Sequence, residues 1–461
     1  MSGKDARGSF GKTKRYFKLY AVVGKPILHS LSPEMFRAAF ADREMDAEYV
    51  RLASTDCESA VRTLEDMGAD GFNATSPYKE ELVQLMARLD RTVEETGAVN
   101  AVVRKGGQWV GHNTDVAGVS KALSNSNVKV RGEKAVVLGT GGAARAAIVA
   151  LLADGASVTV AGRDSPKALE LSREFGCERA SLTDAGLGKA LSGRSLVVGC
   201  LATGKRVVKP GLLNPGIAVL DANYRTETTL VKDARSRGCS IIDGREWLVQ
   251  QGAESFNIFT SRDAPVDAMR RAAFSGEVAR LRANRVVKPS IILAGFMASG
   301  KTSTGRALAR RLGRGFADTD AMVEKAAGSA IPEIFKFGGE MGFRAMERGA
   351  IKDASVMPGR GAALNIGLVV AVGGGAVLDP RNVELLKGMG PVVLLWIDEA
   401  TATERESGAG KRPLLKGRAK VSSIRKILAE RERAYFKSSD LVVDSRGAVK
   451  DVAGVIADEV R

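Results

Sequence analysis

The stretch Gly295-Phe-Met-Ala-Ser-Gly300-Lys301-Thr302 constrains this chain more than any other. It follows an apolar run, Ser290 to Ala294, and precedes a helical pattern from Ser303 to Leu312. That is the spacing G-x-x-x-x-G-K-[ST] in a strand–loop–helix setting. Glycines let the backbone wrap a phosphate, successive N–H groups point inward, and a helix N-terminus adds favourable potential. Gly295, Ala298, Ser299, Gly300, Lys301, Thr302 and Ser303 therefore read as a nucleotide cradle. Lys301 supplies a cation for the outer phosphates and Thr302 offers a hydroxyl to Mg2+. A unit of this kind starts at its P-loop strand, which assigns residues 289–461 to it. The residues upstream must form something else.

At 461 residues the chain has room for two or three domains with full cores. Its formal charge is +16, yet aromatics are only 5% and no stretch mixes dense Lys/Arg with stacking residues. No nucleic-acid partner is expected, because anionic small substrates account equally well for basic pockets. No apolar run approaches the length of a membrane span, so no membrane partner is expected either. Cys57, Cys177, Cys200 and Cys239 are scattered, and His29 and His112 are the only histidines. This suits a reduced, cytoplasmic chain without structural zinc. The first 20 residues carry six basic groups and one acid without an apolar core, so residues 1–17 read as a basic tail rather than a signal peptide. Oligomeric state is not set by anything in the sequence.

Upstream, Tyr20 to Gly24 reads as a strand, followed by a loop with Ser30 and Ser32 and a helix from Pro33 to Phe40. Taken alone, Ser32 is a helix cap. Residues 48–52 suggest a strand and 56–67 a helix. A short strand from Asp70 then breaks into a loop carrying Asn73, Thr75 and Lys79. Asn100 stands at a strand start, and Asn113-Thr-Asp115 lies beside Gly118. Asn and Asp at turns are usually turn formers. Three such loops at the ends of predicted strands nevertheless suit an open parallel sheet with a site at its carboxyl edge.

Gly139-Thr-Gly141-Gly142-Ala143-Ala144 is G-x-G-x-x-A after a strand from Lys134, and it opens a helix over 143–152. A second strand, Ser157 to Val160, completes a dinucleotide fingerprint. At its tip stands Arg163, which suits a 2′-phosphate and hence NADP; Asp164 adjoins it. Strands follow at 196–199, 218–221 and 240–244, then an amphipathic helix over 247–256 that includes Gln251. Residues 264–285 read as a helix running into an Arg-rich linker.

In the last unit, Asp318 and Asp320 are one residue apart. On an extended segment both can face one pocket. Arg344 and Glu347 are three apart on a helical stretch, which lets the acid orient the guanidinium. In isolation the pair reads as a surface ion pair. Leu368 to Gly375 is a buried strand opening into a triple-glycine turn. The basic, glycine-containing stretch 405–420 suits a lid over phosphates or a solvated loop. Arg431 lies on the helix that follows.

Two families are resembled in succession. Residues ~18–280 resemble shikimate dehydrogenase through His29-Ser30-x-Ser32-Pro33, Asn73-x-Thr75-x-Pro77-x-Lys79, Gly97-Ala-Val-Asn100, Asn113-Thr-Asp115, the dinucleotide loop and Leu248-Val-x-Gln251. Residues ~289–461 resemble shikimate kinase through the P-loop, Asp318-Thr-Asp320, Phe343-Arg344-x-x-Glu347, the triple glycine, Arg412-Pro-Leu-Leu and Arg431 four before Tyr435.

The resemblance implies an α/β fold: a shikimate-dehydrogenase-like substrate domain (18–120 and 245–280), a Rossmann NADP domain (121–244), a linker (281–288) and a P-loop kinase domain with a parallel sheet (289–461). It implies NADPH-dependent reduction of 3-dehydroshikimate to shikimate, then phosphorylation of shikimate by ATP with Mg2+. Lys79 and Asp115 become a catalytic dyad, and Ser30, Ser32, Asn73, Thr75, Asn100, Tyr224 and Gln251 ligands of the first substrate. Gly139, Gly141, Gly142, Ala143, Ala144, Arg163 and Gly244 would hold the dinucleotide. In the kinase, Asp320 and Lys301 become catalytic, and Arg344, Gly374 and Arg431 join Asp320 around shikimate. Thr302 and Asp318 would organise Mg2+, with Arg405 near adenine and Arg412 on the phosphates.

Several positions depart from the family pattern. Phe36 stands where a His is usual, Gly199 to Thr203 breaks an Asn-Ala-Thr turn, Thr226 replaces a proline, and Arg433-Ala434 replaces Pro-Leu. Two alternatives are an NAD-using quinate/shikimate dehydrogenase with a kinase, and an inactive ligand-sensing regulator. Such a relic is expected to lose Lys79, Lys301 or Asp320 first, and all three are present.

Overall fold

The structure is a computed structural model describing residues 17–163, 165–193, 195–201, 205–275, 289–357, 366–408 and 418–461. Two compact units result, one made mainly of Leu19–Met45 and Tyr49–Val286, the other mainly of Val287–Ala457.

The first unit contains two sheets. One is built from β1 (Lys18–Val23), β2 (Ala47–Ala53), β3 (Gly71–Ala74), β4 (Arg88–Leu89), β5 (Ala101–Lys105) and β6 (Gln108–His112), in the order β2-β1-β3-β5-β6-β4. It is mixed, which corrects the expectation of a parallel sheet. β1 and β3 are parallel, but β5 runs antiparallel to both β3 and β6. The cause is the two-residue turn at Gly106 (φ 59°) and Gly107 (φ 83°). A turn with both central residues at positive φ matches strand twist and closes a tight hairpin. The reversal brings three chain points to one edge: Asn73 pairs with Ala101, and Ala101 with His112.

The second sheet comprises β7 (Lys134–Leu138), β8 (Ser157–Gly162), β9 (Glu178–Ser181), β10 (Leu196–Gly199), β11 (Ala218–Asp221) and β12 (Ser240–Ile242). Its order is β12-β11-β10-β7-β8-β9, with every pair parallel. Two separate apolar clusters pack on it. Covering on both faces explains its nearly unbroken apolar strands. Helix Gly142–Ala153 leaves β7, two residues longer than the pattern predicts. Helix Gly244–Thr260 returns to the first sheet and packs on helix Asp115–Asn125. The fit is close at Gly118, where a Cβ would stand 2.8 Å from both Gln251 Cβ and Trp247 Cδ1. The next helix is Val266–Phe274. The helix expected to run to residue 285 ends at Phe274, where Ser275 turns extended; residues 276–288, with the linker, lie outside the described residues.

The second unit carries β13 (Ile291–Ala294), β14 (Phe316–Asp318), β15 (Val369–Ala371), β16 (Val392–Trp396) and β17 (Leu441–Asp444), ordered β14-β15-β13-β16-β17 and parallel throughout. The P-loop joins β13 to helix Lys301–Leu312. The long helix Ile331–Val356 breaks at Gly339, whose φ is 63°. Among the described residues, no helix is long and apolar enough to cross a membrane.

Candidate functional site

In the first unit, the shared sheet edge gathers a buried polar cluster. Lys79 Nζ donates to Asp115 Oδ2 at 2.5 Å, with the side chains 14% and 7% exposed. Asp115 begins helix Asp115–Asn125. Asn100 Oδ1 accepts from Thr114 N at 2.7 Å, and Asn100 Nδ2 donates to Gln251 Oε1 at 3.4 Å. Asn73 Nδ2 donates to Asn100 O and to Ser255 Oγ (3.1 and 2.8 Å), while its Oδ1 accepts from Tyr49 OH at 2.8 Å.

Ser30 and Ser32 are buried, with their hydroxyls 3.2 Å apart. Tyr49 stands beside Ser32 and Tyr224 beside Ser30, and burial raises both phenols above their ordinary range. Arg51, 3% exposed, clamps the loop from behind by donating to Ser30 O and Glu34. Thr75 packs at the strand end against Gly24. These hydroxyls and amides belong to the same unit as a lysine held on a carboxylate. Such a set can bind a polyhydroxy acid and move a proton to a carbonyl oxygen.

The dinucleotide loop abuts this cluster. Gly141 sits just before helix Gly142–Ala153, in which Ala143 and Ala144 complete the first turn. A Cβ at Gly142 would stand 3.1 Å from Lys79 Cβ and 3.2 Å from Lys79 Cδ, so the loop lies on the stem of the lysine. At Gly139 (φ 134°) a Cβ would meet Cys200 O at 2.9 Å. The bare backbone before a helix N-terminus suits a pyrophosphate. Gly244 opens its helix so near Asp221 O that a Cβ would lie 2.1 Å away. Arg163 is exposed just beyond the end of β8.

In the second unit, Gly295 and Gly300 have φ of 150° and 82°, and Ala298 adopts the left-handed region at 61°. Lys301 Nζ donates to Gly295 O and Phe296 O, both at 2.9 Å. Ser299 is fully buried, and Ser303 lies in the first turn of the helix. Arg405 binds three carbonyls: Ala298 (3.2 Å), Ser445 (2.9 Å) and Arg446 (3.1 Å). Thr302 Oγ1 donates to Asp318 Oδ2 at 2.7 Å.

Asp318 is not on a continuing strand. It caps helix Thr319–Ala327, accepting from Asp320 N and Ala321 N, so Asp320 lies in that helix's first turn. Asp318 is thus turned onto Thr302, and Asp320 lies near Gly373. Asp320 Oδ1 and Glu347 Oε1 flank Gly373, 2.7 and 2.6 Å from where its Cβ would be.

Arg344 Nη1 donates to Glu347 Oε2 at 2.8 Å. Glu347 is 1% exposed, so the pair is not a surface one. Burial raises the Glu347 carboxyl above its usual range, against the pull of Arg344. Arg344 also lies beside Gly375. Tyr435 OH donates to Gly374 O at 2.5 Å, and the Arg431 charge acts on the same phenol. Arg412 lies outside the described residues.

Residues 22–102 match the family model for the shikimate dehydrogenase substrate binding domain, residues 244–274 that for the shikimate 5'-dehydrogenase C-terminal domain, and residues 297–461 that for shikimate kinase. A shikimate dehydrogenase (NADP(+)) of Halobacterium salinarum is 38% identical over 262 residues, covering 55% of this chain and 97% of that protein. The chain belongs to the shikimate dehydrogenase family and carries a shikimate kinase domain. A second shikimate dehydrogenase (NADP(+)), from Rubrobacter xylanophilus, is 40% identical over 275 residues, or 56% of this chain and 96% of its own. The crystal structure of a Thermus thermophilus shikimate 5-dehydrogenase with NADP(H) and shikimate superposes with a TM-score of 0.52, at 30% identity, over 56% of this chain and 98% of that one.

Within this shikimate dehydrogenase unit, hydrogen bonds link Asn73, Asn100 and Gln251 and join Lys79 to Asp115, whereas Arg163 lies exposed beyond β8. The kinase residues divide between the P-loop and the Gly373–Gly375 turn. Sequence reasoning passes over Tyr49, Arg51, Ser255 and Tyr435. Tyr49 and Arg51 are polar residues two apart on a fully buried strand, and that pattern is a readable signal. Ser255 follows Gln251 by four on a buried helix face, a second such signal.

Proposed function

We propose that the chain is a bifunctional shikimate-pathway enzyme. It reduces 3-dehydroshikimate to shikimate with NADPH, then phosphorylates shikimate with ATP and Mg2+ to shikimate 3-phosphate. The observation that carries this reading is that each unit holds a separate set of reacting groups beside its own phosphate loop. Lys79, paired with Asp115, adjoins Gly142 in one unit, while Asp320 and Arg344 adjoin the turn after β15, whose Gly374 lies against Gly295 and Met297 of the P-loop, in the other. NADPH supplies the hydride and MgATP the phosphoryl group. The chain's own residues bind, orient and handle protons.

In the dehydrogenase, Lys79 gives its proton to the carbonyl oxygen as hydride reaches the carbonyl carbon, and Asp115 keeps the lysine oriented. Ser30, Ser32 and Tyr224 take the substrate carboxylate, while Asn73, Thr75, Asn100 and Gln251 take its hydroxyls. In the kinase, Arg344 and Arg431 hold the carboxylate of shikimate. Asp320 receives the proton of the attacking hydroxyl, Lys301 offsets charge on the phosphates, and Thr302 with Asp318 orders Mg2+. Glu347 keeps the Arg344 fork aimed. A cytoplasmic setting belongs to the same proposal, supported by four free cysteines. We assign residues 18–120 and 245–280 to substrate binding, 121–244 to NADP and 289–461 to the kinase.

Single-site variants of the whole chain test this. Lys79→Ala is expected to abolish NADPH oxidation with 3-dehydroshikimate and spare phosphorylation of shikimate; Lys301→Ala is expected to do the reverse. Loss of both activities in either folded variant refutes independent sites, and absence of both from the wild type favours a ligand-sensing relic.

A further inference from the structure

Asn113 sits between β6 and helix Asp115–Asn125 and has no part in the scheme above. It is 3% exposed, and its polar groups are committed within the protein. The backbone N–H donates to Thr92 Oγ1 at 2.8 Å. The side-chain amide donates to Thr96 Oγ1 (3.0 Å) and Ala98 O (2.8 Å). Its Oδ1 accepts from Asp115 N at 3.1 Å. Both amide hydrogens are spent inside the protein, so this side chain is not built to bind a substrate oxygen as a donor.

The connections continue on both sides. Thr92 Oγ1 donates to Asp90 Oδ1 at 2.6 Å, and Asp90 Oδ2 meets His112 Nδ1 at 2.5 Å. At the other end, Asp115 Oδ2 meets Lys79 Nζ. Helix N-termini leave their first N–H groups without intrahelical partners. Thr114, at the N-cap of this helix, makes no side-chain cap, and its hydroxyl lies 3.0 Å from Ser255 Oγ instead. Asn113 takes over by receiving the Asp115 N–H.

We propose that Asn113, held in place by the Thr92 hydroxyl, is a positioning residue for the reduction. It fixes the first residue of the helix so that the Asp115 carboxylate meets Lys79. The inference rests on the reading of Lys79 and Asp115 as the proton-handling pair. A displacement of about 1 Å at such a pair is enough to cost on the order of a hundredfold in rate.

The test uses the full chain, with its kinase activity as an internal reference. Asn113→Ala and Thr92→Val are each expected to lower kcat for 3-dehydroshikimate about tenfold or more. KM for 3-dehydroshikimate and for NADPH should stay within about twofold, and phosphorylation of shikimate should be unchanged. Thr92→Ser, which keeps the hydroxyl, should return kcat to near the wild-type value. Should Asn113→Ala prevent the dehydrogenase unit from folding, the nearly isosteric Thr92→Val and its Ser counterpart decide the matter.

Equal kcat in Thr92→Val and wild type overturns the proposal. So does a defect carried wholly by KM, or a Thr92→Ser variant as slow as Thr92→Val. Asp115→Asn separates the two levels: if it leaves kcat intact, the proton-handling pair itself is misread. If it collapses kcat while Asn113→Ala and Thr92→Val do not, only the positioning role falls.

Discussion

Asp318 and Asp320 are separated by one residue, and each lies against a different part of the second unit. Asp318 turns back onto Thr302 Oγ1 at 2.7 Å, whereas Asp320 lies against Gly373 beside the buried Glu347. Asp318→Asn should therefore raise the Mg2+ concentration needed for half-maximal phosphorylation and leave KM for shikimate nearly unchanged. Asp320→Asn should lower kcat by about 10²–10⁴ at saturating MgATP. Initial rates over a Mg2+ series separate the two, and matching profiles for both variants would count against the division of labour.

Arg163 stands exposed at the end of β8, where a 2′-phosphate is expected. A charge-assisted hydrogen bond is worth about 1.5–3 kcal/mol, so wild type should favour NADP over NAD by roughly tenfold or more in kcat/KM. Arg163→Ala should erase most of that preference without changing kcat for NADPH. Equal kcat/KM for the two cofactors in the wild type would refute the assignment.

The Tyr435 hydroxyl donates to Gly374 O beside Arg431. Tyr435→Phe keeps the ring and removes that link. KM for shikimate should rise about 5- to 10-fold, in line with roughly 1–1.5 kcal/mol for a hydrogen bond, and KM for ATP should not move. A change confined to ATP would place Tyr435 on the nucleotide side.

His29 is pushed down to about 4, first by burial and then by Arg225 and Arg51. Its ordinary value is 6.5, so between those limits the unfolded chain binds a proton that the folded chain does not. Folding stability from this group is fully present above pH 6.5 and is lost as pH falls towards 4. The slope is at most about 1.4 kcal/mol per pH unit. His29→Gln should flatten the decline of the dehydrogenase unit across this range. Urea midpoints read by hydrogen exchange on peptides covering residues 19–53 give the comparison, and parallel declines would refute it.

Both phosphate loops are legible in the sequence because glycine spacing is a requirement of backbone geometry, and it survives without knowledge of the rest of the fold. Lys79, Asn100 and Asp115 are legible only through family likeness, since each alone passes for a loop residue. The direction of β5 escapes a reading that looks for strand ends, although Gly106-Gly107 between two strands is itself a hairpin signal. The extended-segment argument for the two aspartates does not apply, because the alternation rule holds only while a strand continues and Asp318 ends its strand by capping a helix. Tyr49 and Arg51 contribute through partners distant in sequence, Asn73 and Ser30, which local pattern does not reveal.

The turn at Gly106 and Gly107 has a reach that its place on the surface conceals. It lies at the end of the β5–β6 hairpin remote from Asn100 and Asp115, yet with the buried faces of the strands it sets which residues of β5 and β6 stand opposite each other. A strand shifted by one residue presents its other face. One residue inserted into this turn would carry Asn100 and Asp115 out of step while leaving every reacting side chain in the chain. The enzyme would then lose turnover with its chemistry intact in composition, and a sequence comparison confined to site residues would score it as active.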